Sequence, residues 1–379
     1  MVDGPGPTGG GGARPGSDDT VDPDGVWEEL LTLADARGDA HDGDDLEERT
    51  SRLVAVLQRD GGPRVLDLAL PVLADPATGR RHLAARVLAQ LGYDDGSPFE
   101  GVIAAALAAA ARTADDDDRE VFVWGLTAAG GARWTAEACR YADDPYPPVR
   151  LALARNLVLM EDPPGDRCVA TLIGLSADAD AEVRDAAVFS LATLNDRDSP
   201  AIRAALAARL NDDAGDIRHE ATVGLARRGD GRVLRPLLDR LGGDPDDVFR
   251  LDLEAAAELA HPALMPVLVR LCEHWADDGD RMFLDLALTA RRRCDPRTRA
   301  RATSLEAELV AALNARWAGA GWSVVASDSY PRTVLRLRGG DVGDGRPHRV
   351  WDDVTVADFR VEEQVERFLY DHPALDPPC

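Results

Sequence analysis

Through the middle of the chain, apolar positions recur at helical spacing. Between Glu182 and Leu194, the residues Val183, Ala186, Ala187, Leu191 and Leu194 fall on one stripe, as expected of a helix that buries a single face. A second stripe follows at Ile202, Ala205, Leu206 and Leu210. The next stretch repeats the pair, with Ile217, Ala221 and Leu225, then Val233, Leu234, Leu237, Leu238 and Leu241. Polar residues punctuate the stripes. Asp178 or Asp180 stands where an N-cap carboxylate accepts the free N–H groups of a first turn, and Asn195-Asp196 stands at a stop. The pattern predicts successive two-helix units.

These units carry a repeated phrase. Val149-Arg150, Val183-Arg184 and Ile217-Arg218 are spaced 34 residues apart. Each arginine is followed seven residues later by Leu157, Leu191 or Leu225 and preceded six residues earlier by Asp144, Asp178 or Asp212. A weaker copy surrounds Arg250, with Asp244 before it and Ala257 in place of the leucine. Upstream, Arg119 keeps Leu126 and sits in the acidic run Asp115 to Asp118, while Arg81 has both Asp75 and Leu88. A period of this length predicts a solenoid, in which each unit covers the apolar face of the next. Burying one such leucine is worth roughly 1.5–3 kcal/mol, so the stacked array is stable where a lone unit is not.

The segments DADAEVRDAAVFSLATL and DDAGDIRHEATVGLARRG resemble HEAT repeats of the bacterial, phycobilin-lyase-like type, over roughly residues 46 to 290. The resemblance implies an all-α fold, a right-handed α-α superhelix of the HEAT/armadillo-like solenoid kind. It also implies that Asp144, Arg150, Asp178, Arg184, Asp212 and Arg218 form a structural ladder between neighbouring units. It does not name an activity, because such repeats serve many roles.

Residues 1 to 26 read as a disordered Gly/Pro-rich leader, since this composition buries too little apolar surface to order itself. Its Gly4, Gly6 and Gly9 have dinucleotide-fingerprint spacing but neither strand nor helix beside them. Residues 27 to 319 form the helical repeats. The stretch Val26 to Leu33 and the helix Leu46 to Leu57 cap one end, His41 to Asp45 link them, and the helix Thr303 to Trp317 closes the other. Residues 320 to 379 read as a small α+β tail. Leu335 and Leu337 alternate with Arg336 and Arg338, Gly339-Gly340 marks a turn, and Val361 to Tyr370 returns to helix.

Composition narrows the chemistry. All 43 basic residues are arginine, so lysine Schiff bases, Ser-Lys nucleophiles and P-loop phosphate binding are excluded. A GC-rich coding bias accounts for this. The formal net charge of −25 opposes phosphate neutralisation, so no nucleic-acid partner is expected, and basic surfaces are favoured partners. The arginine-rich segment Arg291 to Arg301 reads as a helix end and the start of the next helix. The longest apolar run, Gly101 to Ala111, is too short to cross a membrane. No signal peptide is read, and the cysteines show no pairing pattern, which leads us to expect a cytoplasmic protein with reduced thiols.

Candidate chemistry is sparse. His219-Glu220 has the form of the His-Glu pairs in HEAT-type di-iron hydroxylases, but the equivalent positions are Asp185-Ala186 and Leu151-Ala152. The pair therefore reads as two exposed residues. Cys272, His274 and Cys294 supply three of the four ligands a structural zinc needs, and Cys272 reads as a core residue beside Leu268 and Leu271. No catalytic, cofactor-binding or metal site is expected. The leading expectation is a non-enzymatic scaffold that binds a protein or peptide partner on a concave face lined by the second helix of each unit. Arg203, Arg209, Arg235, Arg240, Arg270 and Trp275 are the candidate contacts, as arginine and tryptophan anchor many interfaces. The alternatives are a lyase- or chaperone-like maturation factor for a cofactor-bearing protein and a HEAT-like nucleic-acid-binding protein.

Overall fold

In the computed structural model, the described residues are 22–36, 43–91, 98–316, 323–328, 334–338 and 348–349. The chain forms two compact units, divided after Tyr141.

The first unit contains α1 (Pro23–Ala36), α2 (Gly43–Asp60), α3 (Gly62–Ala69), α4 (Thr78–Ala89), α5 (Glu100–Ala111), α6 (Asp116–Ala129) and the short α7 (Thr135–Ala138). Its core is built from Leu30, Leu57, Val65, Leu88, Ile103, Leu107 and Leu126, all fully buried. Helix α1 begins at Pro23, inside the range assigned to the leader, because Trp27 and Leu30 bury their side chains and anchor the first turn. Residues 1–21 of the leader lie outside the described residues. Helix α2 starts at Gly43, inside the link predicted over residues 41 to 45, whose first two residues lie outside the described residues. The alanine-rich Gly101 to Ala111 run forms α5, whose Ile103, Ala104, Leu107, Ala108 and Ala111 pack inward.

The second unit contains α8 (Pro147–Asn156), α9 (Asp166–Leu175), α10 (Ala181–Phe189), α11 (Pro200–Ala208), α12 (Gly215–Arg227), α13 (Leu234–Leu241), α14 (Arg250–Leu259), α15 (Met265–Asp278), α16 (Arg281–Cys294) and α17 (Pro296–Arg316). The arginine-bearing helices stack in order, α8 on α10 on α12 on α14, and α16 continues the row. They pack against one another more closely than α9, α11, α13 and α15 do. Helical repeats of this kind are consistent with a helical solenoid. Gly224 permits one of the close approaches, because a Cβ there would lie 2.6 Å from Ala192 Cβ.

Local capping follows the sequence signals. Asp180, not Asp178, is the N-cap of α10 and accepts from the N–H groups of Glu182 and Val183. Ser199 caps α11 and Asp280 caps α16 in the same way. One expected helix changes pitch. After Phe189 the chain makes a π turn over Ser190–Leu194, which turns Leu194 toward solvent rather than into the stripe. Such a turn leaves carbonyls without helical partners. Arg228 collects them, donating from Nη2 to Leu191 O at 2.9 Å and Asn195 O at 2.6 Å.

At the far end α17 is longer than the predicted 303–317 helix, and Leu309 and Leu313 are buried. Strands β1 (Ser323–Asp328), β2 (Val334–Arg338) and β3 (His348–Arg349) pair antiparallel in that order. The turn at Gly339-Gly340 and the helix expected over Val361 to Tyr370 lie outside the described residues.

Candidate functional site

The repeat arginines make two kinds of contact. Four of them reach back to the carbonyl of the aspartate six residues before them. Arg81 Nη1 donates to Asp75 O at 2.7 Å, Arg150 Nη1 to Asp144 O at 2.6 Å, Arg184 Nη1 to Asp178 O at 3.0 Å and Arg218 Nη1 to Asp212 O at 2.5 Å. Two also reach forward to the loop aspartate of the next unit. Arg150 Nε and Nη2 donate to the two oxygens of Asp178, both at 2.7 Å, and Arg184 does the same to Asp212, both at 3.1 Å. Each of these aspartates also accepts an N–H two residues on, from Asp180 and Ala214. Burial pushes the carboxyls of Asp178 and Asp212 up, but the arginine and backbone hydrogen bonds outweigh it and hold both below the usual carboxylate range. Hydrogen bonds donated to the partner carboxylates raise Arg150 and Arg184. This is the chemistry of strong bidentate pairs.

The ladder does not continue through Arg250. That residue is exposed and pairs with Glu254 on its own helix, and Asp244 instead caps a short turn through the N–H of Asp246. A different network joins α12, α13 and α14. Arg240 donates from Nε to the buried Asp252 at 2.7 Å and from Nη2 to Thr222 Oγ1 at 3.2 Å. His219 lies with Nε2 3.7 Å from Asp252 and its ring 4.4 Å from that of Phe249. His219 is buried, so the expectation of an exposed His219-Glu220 pair is corrected: Phe249 covers the imidazole. Burial lowers the His219 pKa, against the opposing pull of Asp252.

The six nominated contact residues fare differently. Arg235 is exposed and pairs with Asp239 along α13. Arg203 is held by Asp198 and by the carbonyl of Arg228. Arg209 shares the ladder carboxylate of Asp212 at 3.3 Å, Arg240 is bound to Asp252, and Arg270 donates to the carbonyls of Leu241 and Gly243. Trp275 is buried and packs on Phe283. Its reading as a surface anchor is corrected, because Leu268, Leu271, Cys272 and Trp275 make one inward face of α15.

Cys272 points into that core, whereas His274 lies on the other side of the helix, 3.8 Å from Asp246. Among the described residues no three His, Cys, Asp or Glu side chains converge as metal ligands. Arg291, Arg292 and Arg293 end α16, and Asp295 is its C-cap.

One surface feature escaped the sequence reading. Asp185 on α10, Glu220 on α12 and Glu254 on α14 lie on successive stacked helices, and each is half-buried. Burial raises the pKa of all three. Asp216 adds to it at Asp185, Asp185 at Glu220, and Glu258 at Glu254. Phe189, the last residue of α10, and Phe249, the N-cap of α14, are both substantially exposed. The signal was available as carboxylates spaced 35 and 34 residues apart, but acidic residues are too common in this chain for spacing alone to single them out.

Among the described residues, no helix is long and apolar enough to cross a membrane. Protein YibA of Escherichia coli, found in two strains, is 35% identical over 120 residues, or 32% of this chain. The chain thus spans 41% of the length of these curated relatives. The X-ray structure of YibA superposes with a TM-score of 0.54 at 24% identity, covering 72% of this chain and 97% of that one, which is a likeness of fold. Residues 169–260 match the family model of HEAT repeats, and the stacked pairs α9 to α14 are the part of the chain that carries this match.

Proposed function

We propose that this chain is a non-enzymatic HEAT-repeat scaffold, and that the row α10, α12 and α14 holds a basic segment of a protein partner. The observation that carries this reading is the line Asp185, Glu220 and Glu254. Burial raises all three half-buried carboxylates, and Asp185 and Glu254 raise Glu220 further, so a cationic side chain laid along them would relieve burial, and repulsion at Glu220. Phe189 and Phe249 add exposed aromatic surface of the kind that anchors partners. The net charge of −25 favours encounter with basic surfaces. The second-helix arginines are weaker candidates, since Arg203, Arg209, Arg240 and Arg270 already satisfy neighbouring carboxylates and carbonyls.

The test compares the parent with a triple variant, Asp185→Asn, Glu220→Gln and Glu254→Gln, each bound to a support and exposed to native cell extract. A partner enriched by the parent and lost with the triple variant supports the scaffold. Equal enrichment by both, or none by either, overturns it. Retention of duplex DNA in a salt-dependent gel shift would favour the nucleic-acid reading instead.

A further inference from the structure

The ladder of the second unit stops at one junction. Arg150 and Arg184 each hold the loop aspartate of the next unit. Among the described residues Arg218 has no such partner. It donates to the carbonyls of Asp212 and Asp213 in its own loop, and Asp244 caps its own turn. Between α12 and α14 the polar contact runs through the residue after the arginine, His219. Its Nε2 lies 3.7 Å from Asp252 Oδ2 on α14, while Asp252 Oδ1 accepts from Arg240 on α13 at 2.7 Å.

This contact is incomplete. His219 and Asp252 are 6% and 1% exposed, yet His219 Nδ1 and Asp252 Oδ2 have no hydrogen-bond partner. Buried polar atoms left in that state weaken the packing around them. The ring is covered by Phe249, 4.4 Å away and tilted 32° to it. Phe249 is 54% exposed and is the N-cap of α14, on extended backbone. Turning its side chain into solvent breaks no helical hydrogen bond and uncovers the imidazole. The charged groups that act on the ring are Asp252 on α14, Arg240 on α13, and Arg218 and Asp216 on its own helix. Asp185, on α10, bears on Asp216 and Glu220. Two carboxylates and two guanidiniums oppose one another at the ring, so burial decides, and it favours the neutral imidazole.

An arginine–aspartate rung keeps its charges down to the carboxylate range, whereas imidazole changes charge near neutrality. We propose that His219 makes the junction of α12 with α14 a pH-sensitive latch. Neutral, the ring stays packed under Phe249 and the two helices stay joined. Protonated, it needs solvation that the packed site does not give. Phe249 then turns outward, and α12 and α14 loosen there while the rungs from α8 to α10 and from α10 to α12 hold. The folded ring titrates below its ordinary 6.5. Its packing is therefore fully in place above that value and is lost as pH falls toward the lower folded value. Glu220 and Glu254, on the same two helices, are raised by burial and relieved by protonation, so loosening in mild acid has the opposite sign to theirs. The latch belongs to the stack itself and acts with or without a partner on the carboxylate row.

The experiment is hydrogen exchange of the full chain at pH 7.5 and pH 5.5, corrected for intrinsic rates and read peptide by peptide by mass spectrometry. In the parent, opening across α12 and the first turn of α14 should rise about three- to tenfold in acid, within the limit of about tenfold per pH unit that one proton sets. Opening of α8 and α10 should not change. His219→Gln should abolish the rise, and Phe249→Ala, which uncovers the ring, should show the raised exchange already at pH 7.5. Should neither variant fold, the parent decides through its exchange pattern and through the NMR titration of the His219 C2–H signal, expected below 6.5. The proposal is overturned if α12 and α14 exchange no faster at pH 5.5, if α8 and α10 loosen as much, if a folded His219→Gln variant keeps the rise, if a folded Phe249→Ala variant exchanges like the parent at pH 7.5, or if His219 titrates above 6.5.

Discussion

Arg184 holds Asp212 across 28 residues of chain, each oxygen of the carboxylate accepting one guanidinium N–H at 3.1 Å. The same carboxylate closes its own loop through the N–H of Ala214 at 3.2 Å and accepts from Arg209 at 3.3 Å. One side chain therefore ties two units together and shapes the turn between them.

Replacing it should be costly. Asp212→Ala leaves Arg184 without its carboxylate and the turn without its acceptor, and we expect a loss of about 2–4 kcal/mol in urea unfolding. Adding Arg184→Ala to Asp212→Ala should cost much less than Arg184→Ala alone, because the two residues act as one contact. Additive losses would show that the pair contributes nothing jointly.

Stability should fall in acid through these rungs. The carboxyls of Asp178 and Asp212 titrate below their unfolded value. Their contribution is therefore fully present above the unfolded pKa, about 3.9, and is lost as pH falls through the lower folded value. Urea midpoints measured from pH 6 down to pH 2 should drop less steeply for a variant carrying Asp178→Asn and Asp212→Asn than for the parent.

Glu220 should behave in the opposite sense. Burial raises its pKa first, and Asp185 raises it further, so the ionised form is destabilising at neutral pH and protonation relieves it. Glu220→Gln, which keeps an acceptor for Thr193 Oγ1, should raise the melting temperature at pH 7. The advantage should shrink as pH falls through the carboxylate range. A lower melting temperature at pH 7 would contradict this account of the carboxylate row.

Two glycines separate packing from propensity. Gly224→Ala sets a methyl 2.6 Å from Ala192 Cβ and 3.0 Å from Leu206 Cδ1 and should cost about 1–3 kcal/mol. Gly174, inside α9, has nothing within 4 Å of its would-be Cβ, and Gly174→Ala should stabilise by about 0.4–1 kcal/mol. Chemical denaturation of the two variants side by side measures both.

Helix pairs, their period and their caps were legible in the linear chain because each depends on neighbours within four residues. The stripes at Val183, Ala187 and Leu191, or at Leu237 and Leu241, are buried as their spacing predicts. The repeated Asp and Arg of each unit marked the residues that meet at 2.7 Å in Arg150 and Asp178. What the pattern could not carry was which element covers which. Trp275 looked like a surface residue until α16 brought Phe283 against it, and His219 was read as exposed until Phe249 stacked on its ring. Arg81 carries the same repeat signature as Arg150, yet it pairs with a carboxylate in the first turn of α6 rather than in a loop. Local periodicity sets where helices begin, end and turn their apolar faces, because those are short-range energies. Burial of a charge and the choice of its partner arise only when residues from different helices are packed together.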